Sequence, residues 1–188
     1  MSKPETTVAS AAHPLVVALL LPLLLGSVLI CHSLAYPQPY DEYQVKAAFL
    51  NKLPVFVKWP EPLQEADQIV IGVLGTNPFR AYMKDIEGQS VRGKRVIVKQ
   101  ILTVREAKQC HLVFIGPSEK DRLGYILSVL SSSPVLTVSD SEGWSRQGVM
   151  VNFYVEHGSI RFEVNVDAVK LAGLAVSSQF LKLARIQR

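Results

Sequence analysis

Residues 110–116 have the sequence Cys-His-Leu-Val-Phe-Ile-Gly, and this stretch decides the fold. Every side chain from Leu112 to Ile115 is apolar. A short apolar run of this kind is typical of a central strand in a parallel sheet, which is covered on both faces. We therefore predict a buried strand over residues 111–116.

Similar apolar runs lie on either side of this strand. They predict further strands over residues 68–74, 95–101 and 134–138. The segments between them have helical character, over residues 78–86, 104–109 and 118–130. Strands that alternate with helices form right-handed crossovers, so we expect a mostly parallel sheet.

An amphipathic helix is predicted in front of this region. Residues 40–59 carry apolar side chains at helical spacing, among them Val45, Phe49 and Leu53. Pro54 cannot donate a backbone hydrogen bond and should kink the last turn of this helix.

The C-terminal part of the chain changes to alternation of apolar and polar residues. The alternation covers residues 149–155 and 160–164 on either side of His157-Gly158, and it predicts an antiparallel hairpin with one covered face. Two closing helices are predicted over residues 166–172 and 179–186, with Asn165 and Ser178 as their caps. The predicted fold class is α/β: a three-layer sandwich with a mostly parallel central sheet, a C-terminal antiparallel hairpin and closing helices.

The chain has 48% hydrophobic residues and a mean hydropathy of +0.21, and much of this apolar character lies at its start. Residues 15–30 carry no charge, and Ser33-Leu34-Ala35 follows with small residues where signal peptidase requires them. We predict that residues 1–35 are a cleaved signal peptide. The alternatives are an uncleaved anchor, or lipidation at Cys31, although Ile30 before it is larger than a lipoprotein signal would carry.

Residues 36–188 are then a single domain that works in the periplasm. Outside the cytoplasm there is no nucleotide pool, so nucleotide-dependent chemistry is excluded. The net charge of +4 does not indicate a nucleic-acid partner in this compartment. It suits an acidic protein surface or membrane headgroups, although solubility alone is sufficient to explain it.

The sequence contains no recognisable catalytic constellation. His111 and His157 are far apart and lack the spaced partners of a metal site. The glycines of residues 72–78 lack the Lys-Ser/Thr ending of a phosphate loop. Asp140 lies in a segment whose composition favours a turn. We therefore predict no catalytic residue, no cofactor and no metal, and a non-enzymatic binding module.

Four residues are candidates for contact with a partner or ligand. Trp59 and Trp144 lie in predicted loops, where an aromatic side chain is often a binding anchor, although either could fold back onto the core. Arg161 and Glu163 lie on the uncovered face of the predicted hairpin. Cys110 is unpaired in the predicted mature chain, and its alternatives are a buried inert thiol, an intermolecular bridge or a reactive thiol.

Several segments together resemble the YfiR family of periplasmic proteins. They include residues 45–50 followed by Trp59-Pro60, the glycines of residues 72–78, Cys110-His111, and above all residues 160–165 with the segments up to residue 184. The resemblance covers residues 43–186, nearly all of the predicted domain.

The resemblance implies a negative regulator that represses a membrane-anchored diguanylate cyclase through its periplasmic sensor region, lowering cyclic di-GMP and biofilm formation. An OmpA-like outer-membrane lipoprotein could sequester it, and a homodimer is possible. Family members often pair the cysteine matching Cys110 with one in the first strand, where this chain has Ile71. A small-ligand binding protein of the periplasm is the alternative, since the predicted fold and loop tryptophans also suit that function.

Overall fold

The structure, a computed structural model, describes residues 41–61, 63–79 and 81–187. The predictions for residues 1–35, among them the signal peptide and Cys31, lie outside the described residues. Asp41 to Arg188 belong to one compact unit. None of the helices in the described part of the chain combines the length and the apolar character that crossing a membrane requires.

A curled sheet of eight strands forms the centre of the fold, and two further strands form a small separate sheet. The strand order in the large sheet is β10-β8-β7-β6-β5-β2-β4-β3. The strands in chain order are β1 (Val57–Lys58), β2 (Gln68–Leu74), β3 (Ser90–Val91), β4 (Lys94–Ile101), β5 (Leu112–Ile115), β6 (Leu136–Ser139), β7 (Val151–Glu156), β8 (Ser159–Asn165), β9 (Ala175–Val176) and β10 (Arg185–Gln187). The four strands predicted in the parallel region are all present.

The pairing directions confirm a mostly parallel sheet with an antiparallel hairpin. β2 lies parallel to β4 on one side and to β5 on the other, and β5, β6 and β7 continue in parallel. β7 and β8 pair antiparallel across a turn in which His157 and Gly158 have φ values of 50° and 71°. Positive φ at both residues is what a tight two-residue hairpin turn requires. β1 and β9 form the small antiparallel sheet.

Six α-helices of the described chain cover the two faces of the large sheet. They are α1 (Glu42–Lys52), α2 (Tyr82–Ile86), α3 (Val104–Ala107), α4 (Leu123–Leu130), α5 (Val166–Leu171) and α6 (Ser178–Leu181). The backbone changes from an α-helix to a 3-10 helix over Leu53–Phe56. Pro54 lies in this segment, and its missing amide hydrogen predicts that the α-helix is distorted there. Asn165 caps α5, since its side chain accepts a hydrogen bond from the backbone N–H of Ala168 at 2.8 Å.

Several predicted helices differ from the structure. The first ends at Lys52, before a 3-10 helix and β1, and the helix predicted over residues 78–86 begins only at Tyr82. Residues 118–130 divide into a 3-10 helix over Pro117–Arg122 and then α4. The last helix is also shorter than predicted: Ser177 rather than Ser178 caps α6, and residues 185–187 leave it to pair with β8 as β10. The backbone of residues 185–187 forms hydrogen bonds with β8. This pairing between distant parts of the chain outweighs the helical preference that the spacing of their side chains indicates.

The core lies on both sides of the sheet, as expected for three layers. On one side α1, α2, α5 and α6 cover a cluster that includes Leu50, Ile71, Phe114 and Phe153. On the other side α3 and α4 cover a second cluster that includes Cys110, Val113 and other buried side chains. The side chains of β5 therefore alternate between two apolar layers, which explains why its whole sequence is apolar.

Candidate functional site

The two tryptophans predicted as contact residues lie inside the fold. Trp59 and Trp144 are each 4% exposed. Trp59 packs edge-on against the ring of His111, with 5.7 Å between ring centroids. Trp144 belongs to the core cluster under α3 and α4. Both indoles contribute to packing in this structure, and a contact of either one with a partner stays a prediction.

Arg161 and Glu163 lie on β8 in alternation with the buried Ile160 and Phe162, as the hairpin pattern predicts. Arg161 is exposed, opposite Tyr154 of β7. Glu163 is only partly exposed because it accepts hydrogen bonds inside the protein, from Oγ of Ser145 and from Nε2 of Gln187. Arg161 is thus the more accessible of the two, and the contact role of both stays a prediction.

Cys110 has a buried side chain that is 2% exposed. Burial raises the pKa of its thiol to about 11, while the nearby charge of Lys99 lowers it slightly. The thiol is therefore protonated at neutral pH, which disfavours nucleophilic chemistry there.

The structure corrects the position in β2 that faces Cys110. Ile71 packs in the core cluster on the opposite side of the sheet. Its neighbour Gly72 faces the thiol instead, and a Cβ at position 72 would lie 2.8 Å from Sγ of Cys110. A shift of one residue along a strand moves a side chain to the other face, so position 72, and not position 71, is the one from which a side chain would meet Cys110.

His111 is 4% exposed and is fixed as a neutral ring by its hydrogen bond. The backbone N–H of Val70 donates to Nδ1 of His111 at 3.1 Å, so the proton of the ring is on Nε2. Burial lowers the pKa of His111, the nearby charge of Lys94 lowers it further, and the backbone of Leu63 partly opposes them. Nε2 of His111 has no hydrogen-bond partner among the described residues. Among the described residues, no group of three or more His, Cys, Asp or Glu side chains is placed to hold a metal ion.

An apolar groove runs along α1. It has a volume of about 410 Å³ and is lined by Val45, Phe49, Phe162, Phe180 and Leu183, among others. The stacked rings of Phe162 and Phe180, with centroids 4.5 Å apart, lie on its wall. The apolar stripe of the predicted amphipathic helix therefore partly faces this groove. The most buried face of α1 is turned by one residue from that stripe, toward Lys46, Ala47 and Leu50.

A polar cleft of about 620 Å³ lies between the start of α1 and the sheet. One wall is the start of α1, with Glu42 and Lys46. The loop after β6 supplies Asp140 to a second wall, and β7, β8 and β10 complete the cleft. Its volume lies in the range typical of small-molecule sites, about 300–1,000 Å³.

Lys46 is the buried cation of this cleft, and its side chain is 4% exposed. Its Nζ lies 2.7 Å from Oδ2 of Asp140 and also forms an ion pair with Glu42. The ring of Tyr43 lies 4.7 Å from the same nitrogen. Burial alone would lower the pKa of Lys46, but the two carboxylates outweigh burial and leave the pKa raised. Lys46 is therefore a permanent positive charge that ties α1 to the end of β6.

A row of polar side chains crosses the sheet next to this ion pair. Strand register places Ser139, Asn152, Glu163 and Arg185 side by side on β6, β7, β8 and β10. Asn152 is 2% exposed and lines the cleft. Its Nδ2 donates to the carbonyl of Phe153 at 3.3 Å, and its Oδ1 has no hydrogen-bond partner among the described residues. The cleft thus contains a buried hydrogen-bond acceptor that nothing in the described chain satisfies.

Sequence reasoning missed most of this cleft. The composition around Asp140 favours a turn, and Lys46 lies between the apolar residues of the α1 stripe. A lysine at such a position usually extends to solvent. The available signal was the polar Asn152 on the otherwise apolar start of β7.

The chain matches the YfiR/HmsC-like family over residues 43–185, which is most of its length. It belongs to the YfiR/HmsC-like family. The YfiR/HmsC-like family is a regulatory family, and its members act in cyclic di-GMP signalling through a partner protein.

Solved structures of low sequence identity share the fold of this YfiR/HmsC-like chain. One is a conserved domain protein from Vibrio cholerae O1 biovar El Tor, with a TM-score of 0.53 and 8% identity, covering 79% of this chain and 60% of that chain. Another is the ABC domain in complex with L-Trp from Streptococcus pneumoniae, with a TM-score of 0.50 and 11% identity, covering 77% of this chain and 60% of that one. At these identities the likeness shows the fold alone.

Proposed function

We propose that this protein is a periplasmic, non-enzymatic repressor of a membrane-anchored diguanylate cyclase, and that it acts by binding the periplasmic sensor region of the cyclase. The observation that carries the proposal is the family match over residues 43–185. The mature protein begins near residue 36, after removal of the signal peptide. An OmpA-like outer-membrane lipoprotein can relieve repression by competing for the same protein.

Two surface features support a function by protein contact. The groove along α1 exposes apolar side chains, such as Leu183 at 69% exposed, and surfaces of this kind are commonly covered by protein partners. The net charge of +4 favours association with an acidic sensor region. Arg161 on the exposed face of β8 is the residue that we assign to this electrostatic contact.

The mechanism is a population shift. A repressor that binds the inactive conformation of the sensor region changes the equilibrium only by the ratio of its affinities for the two conformations. A change from mostly active to mostly inactive requires a ratio of about 10⁴. A lipoprotein in excess removes the free repressor, and the cyclase then returns to its active state by mass action.

The experiment is co-expression of this protein with its cognate cyclase, with cyclic di-GMP measured in cell extracts. Repression by the exported protein, and loss of repression when residues 1–35 are deleted, are the expected results. Unchanged cyclic di-GMP together with no binding of the purified protein to the sensor region would refute the proposal.

A charge-reversed pair of variants tests the assigned contact. Arg161→Glu should weaken binding to the sensor region about tenfold or more, because a like charge then faces an acidic surface. Lys108→Glu makes the same charge change at an exposed position next to α3 and should leave binding nearly unchanged. Equal affinities for the two variants would remove Arg161 from the contact while leaving the repressor function to the co-expression experiment.

A further inference from the structure

The polar cleft contains one buried group whose hydrogen bonding is incomplete. Oδ1 of Asn152 has no partner among the described residues, and a buried acceptor of this kind is costly unless something donates to it. Among the described residues, its amide makes one hydrogen bond, in which Nδ2 donates to the carbonyl of Phe153 at 3.3 Å, beyond the usual length of such a bond. A ligand for this position must therefore carry a hydrogen-bond donor.

The charges around Asn152 specify the kind of donor. Glu163 lies directly opposite Asn152 on β8, and Asp140 follows the residue of β6 that pairs with it. Across the whole cleft, four carboxylates stand against three cationic side chains. An unpaired acceptor between two carboxylates favours a donor that is positively charged, because a charge-assisted hydrogen bond is about twice as strong as a neutral one.

None of the cationic side chains that line the cleft donates a hydrogen bond to Oδ1 of Asn152. Lys46 is held by Glu42 and Asp140, and Arg185 lies 2.9 Å from Glu156 and 3.5 Å from Glu163. Arg146 lies at the exposed rim. The cleft volume of about 620 Å³ lies between these groups and is large enough for a small metabolite.

We infer that the polar cleft binds a small molecule that carries a primary ammonium group, with Asn152 as the acceptor and with Asp140 and Glu163 supplying the negative field. This inference goes beyond the proposed function, because it assigns a small ligand to a site that the contact with the cyclase does not require. A diamine and an amino acid both present this ammonium group, and they differ in whether a carboxylate accompanies it.

Isothermal titration of the purified protein tests the inference with three probes. 1,4-Diaminobutane and alanine each carry the ammonium group, while 1,4-butanediol replaces the ammonium groups of the diamine with hydroxyls. At least one amine should bind saturably and at least tenfold more tightly than the diol. No saturable binding of either amine up to about 10 mM, or equal binding of the diol, would overturn the inference.

Two matched variants assign the acceptor. Asn152→Leu should weaken the amine at least tenfold. Asn51→Leu is the control, because Asn51 is also buried, also has an unpaired Oδ1, and does not line the cleft. Identical affinities for the two variants would overturn the assignment.

Two variants at the rim of the cleft, at the exposed positions Glu142 and Arg146, keep the test decisive if Asn152→Leu does not fold. Glu142→Gln should weaken the diamine about twofold to threefold, and Arg146→Gln should strengthen it by a similar factor. For an amino acid held through its carboxylate, Arg146→Gln should instead weaken binding. No change in either rim variant would place the amine elsewhere and overturn the inference. Because none of these measurements involves the cyclase, failure here is distinct from failure of the repressor proposal.

Discussion

Gly72 is the position at which one substitution should create a disulfide with Cys110. A Cβ at position 72 would lie 2.8 Å from Sγ of Cys110, which is too close for a non-bonded contact. Across a disulfide, with its S–S bond of about 2.04 Å, a Cβ lies about 3 Å from the partner sulfur. Gly72 also lacks the positive φ that would exclude a side chain. Gly72→Cys should therefore form the bond with little backbone movement.

The expected stabilisation follows from the length of the loop that the bond closes. Positions 72 and 110 enclose about 38 residues, for which the loss of unfolded-state entropy corresponds to about 4 kcal/mol at 25 °C. Crowding reduces this gain, because the new Cβ would also lie 3.1 Å from Cδ1 of Ile101. We expect the oxidised variant to be about 2–4 kcal/mol more stable than the same variant after reduction.

Urea unfolding with and without reductant measures this difference, and thiol titration in denaturant shows whether the bond has formed. Ile71→Cys is the matched control, since its side chain lies on the other face of the sheet and should leave both thiols free. Two free thiols in oxidised Gly72→Cys, or a bond in Ile71→Cys, would refute the assignment of faces.

Three further predictions concern buried polar groups. Lys46→Met leaves Asp140 buried without its cation and should lower the free energy of unfolding in urea by about 3 kcal/mol. Adding Asp140→Asn should recover much of that loss. A loss below about 1 kcal/mol would show that the pair is not buried in solution. The lowered pKa of His111 means that the unfolded chain binds its proton more readily, so stability should fall as pH drops below about 6.5, and His111→Asn should flatten that dependence. Asn165→Ala removes the cap of α5 and a hydrogen bond of 2.7 Å to the carbonyl of Ser145, and thermal unfolding should show a loss of about 2 kcal/mol; a loss within about 0.5 kcal/mol would contradict the role of its side chain.

The fold could be predicted where the pattern of the sequence reports burial directly. The apolar run at Leu112–Ile115 indicated a strand covered on both faces, and the alternation on either side of His157-Gly158 indicated the hairpin. The last strand was missed because residues 185–187 have no strand pattern of their own. They become a strand through pairing with β8, which depends on the tertiary fold.

The cleft could not be predicted because its geometry arises from register and long-range packing. Lys46 and Asp140 are far apart in sequence, and only the packing of α1 against the end of β6 brings them together. Likewise, no pattern in the sequence states whether Ile71 or Gly72 faces Cys110, since this depends on how β2 aligns with β5. The tryptophans show the reverse difficulty, because their large apolar surface suits a core as well as an interface.

The position of β2 between β4 and β5 has a consequence for how the protein folds. Its partners β4 and β5 are both reached through crossovers, so Gln68–Leu74 stays unpaired until residues far along the chain have arrived. During that time the segment is a short, strongly apolar strand with two free edges, which is the kind of sequence that starts aggregation. Once both partners are in place, its amides should be among the slowest in the molecule to exchange with solvent. The same seven residues are thus exposed to aggregation before folding and are expected to be well protected from exchange after it.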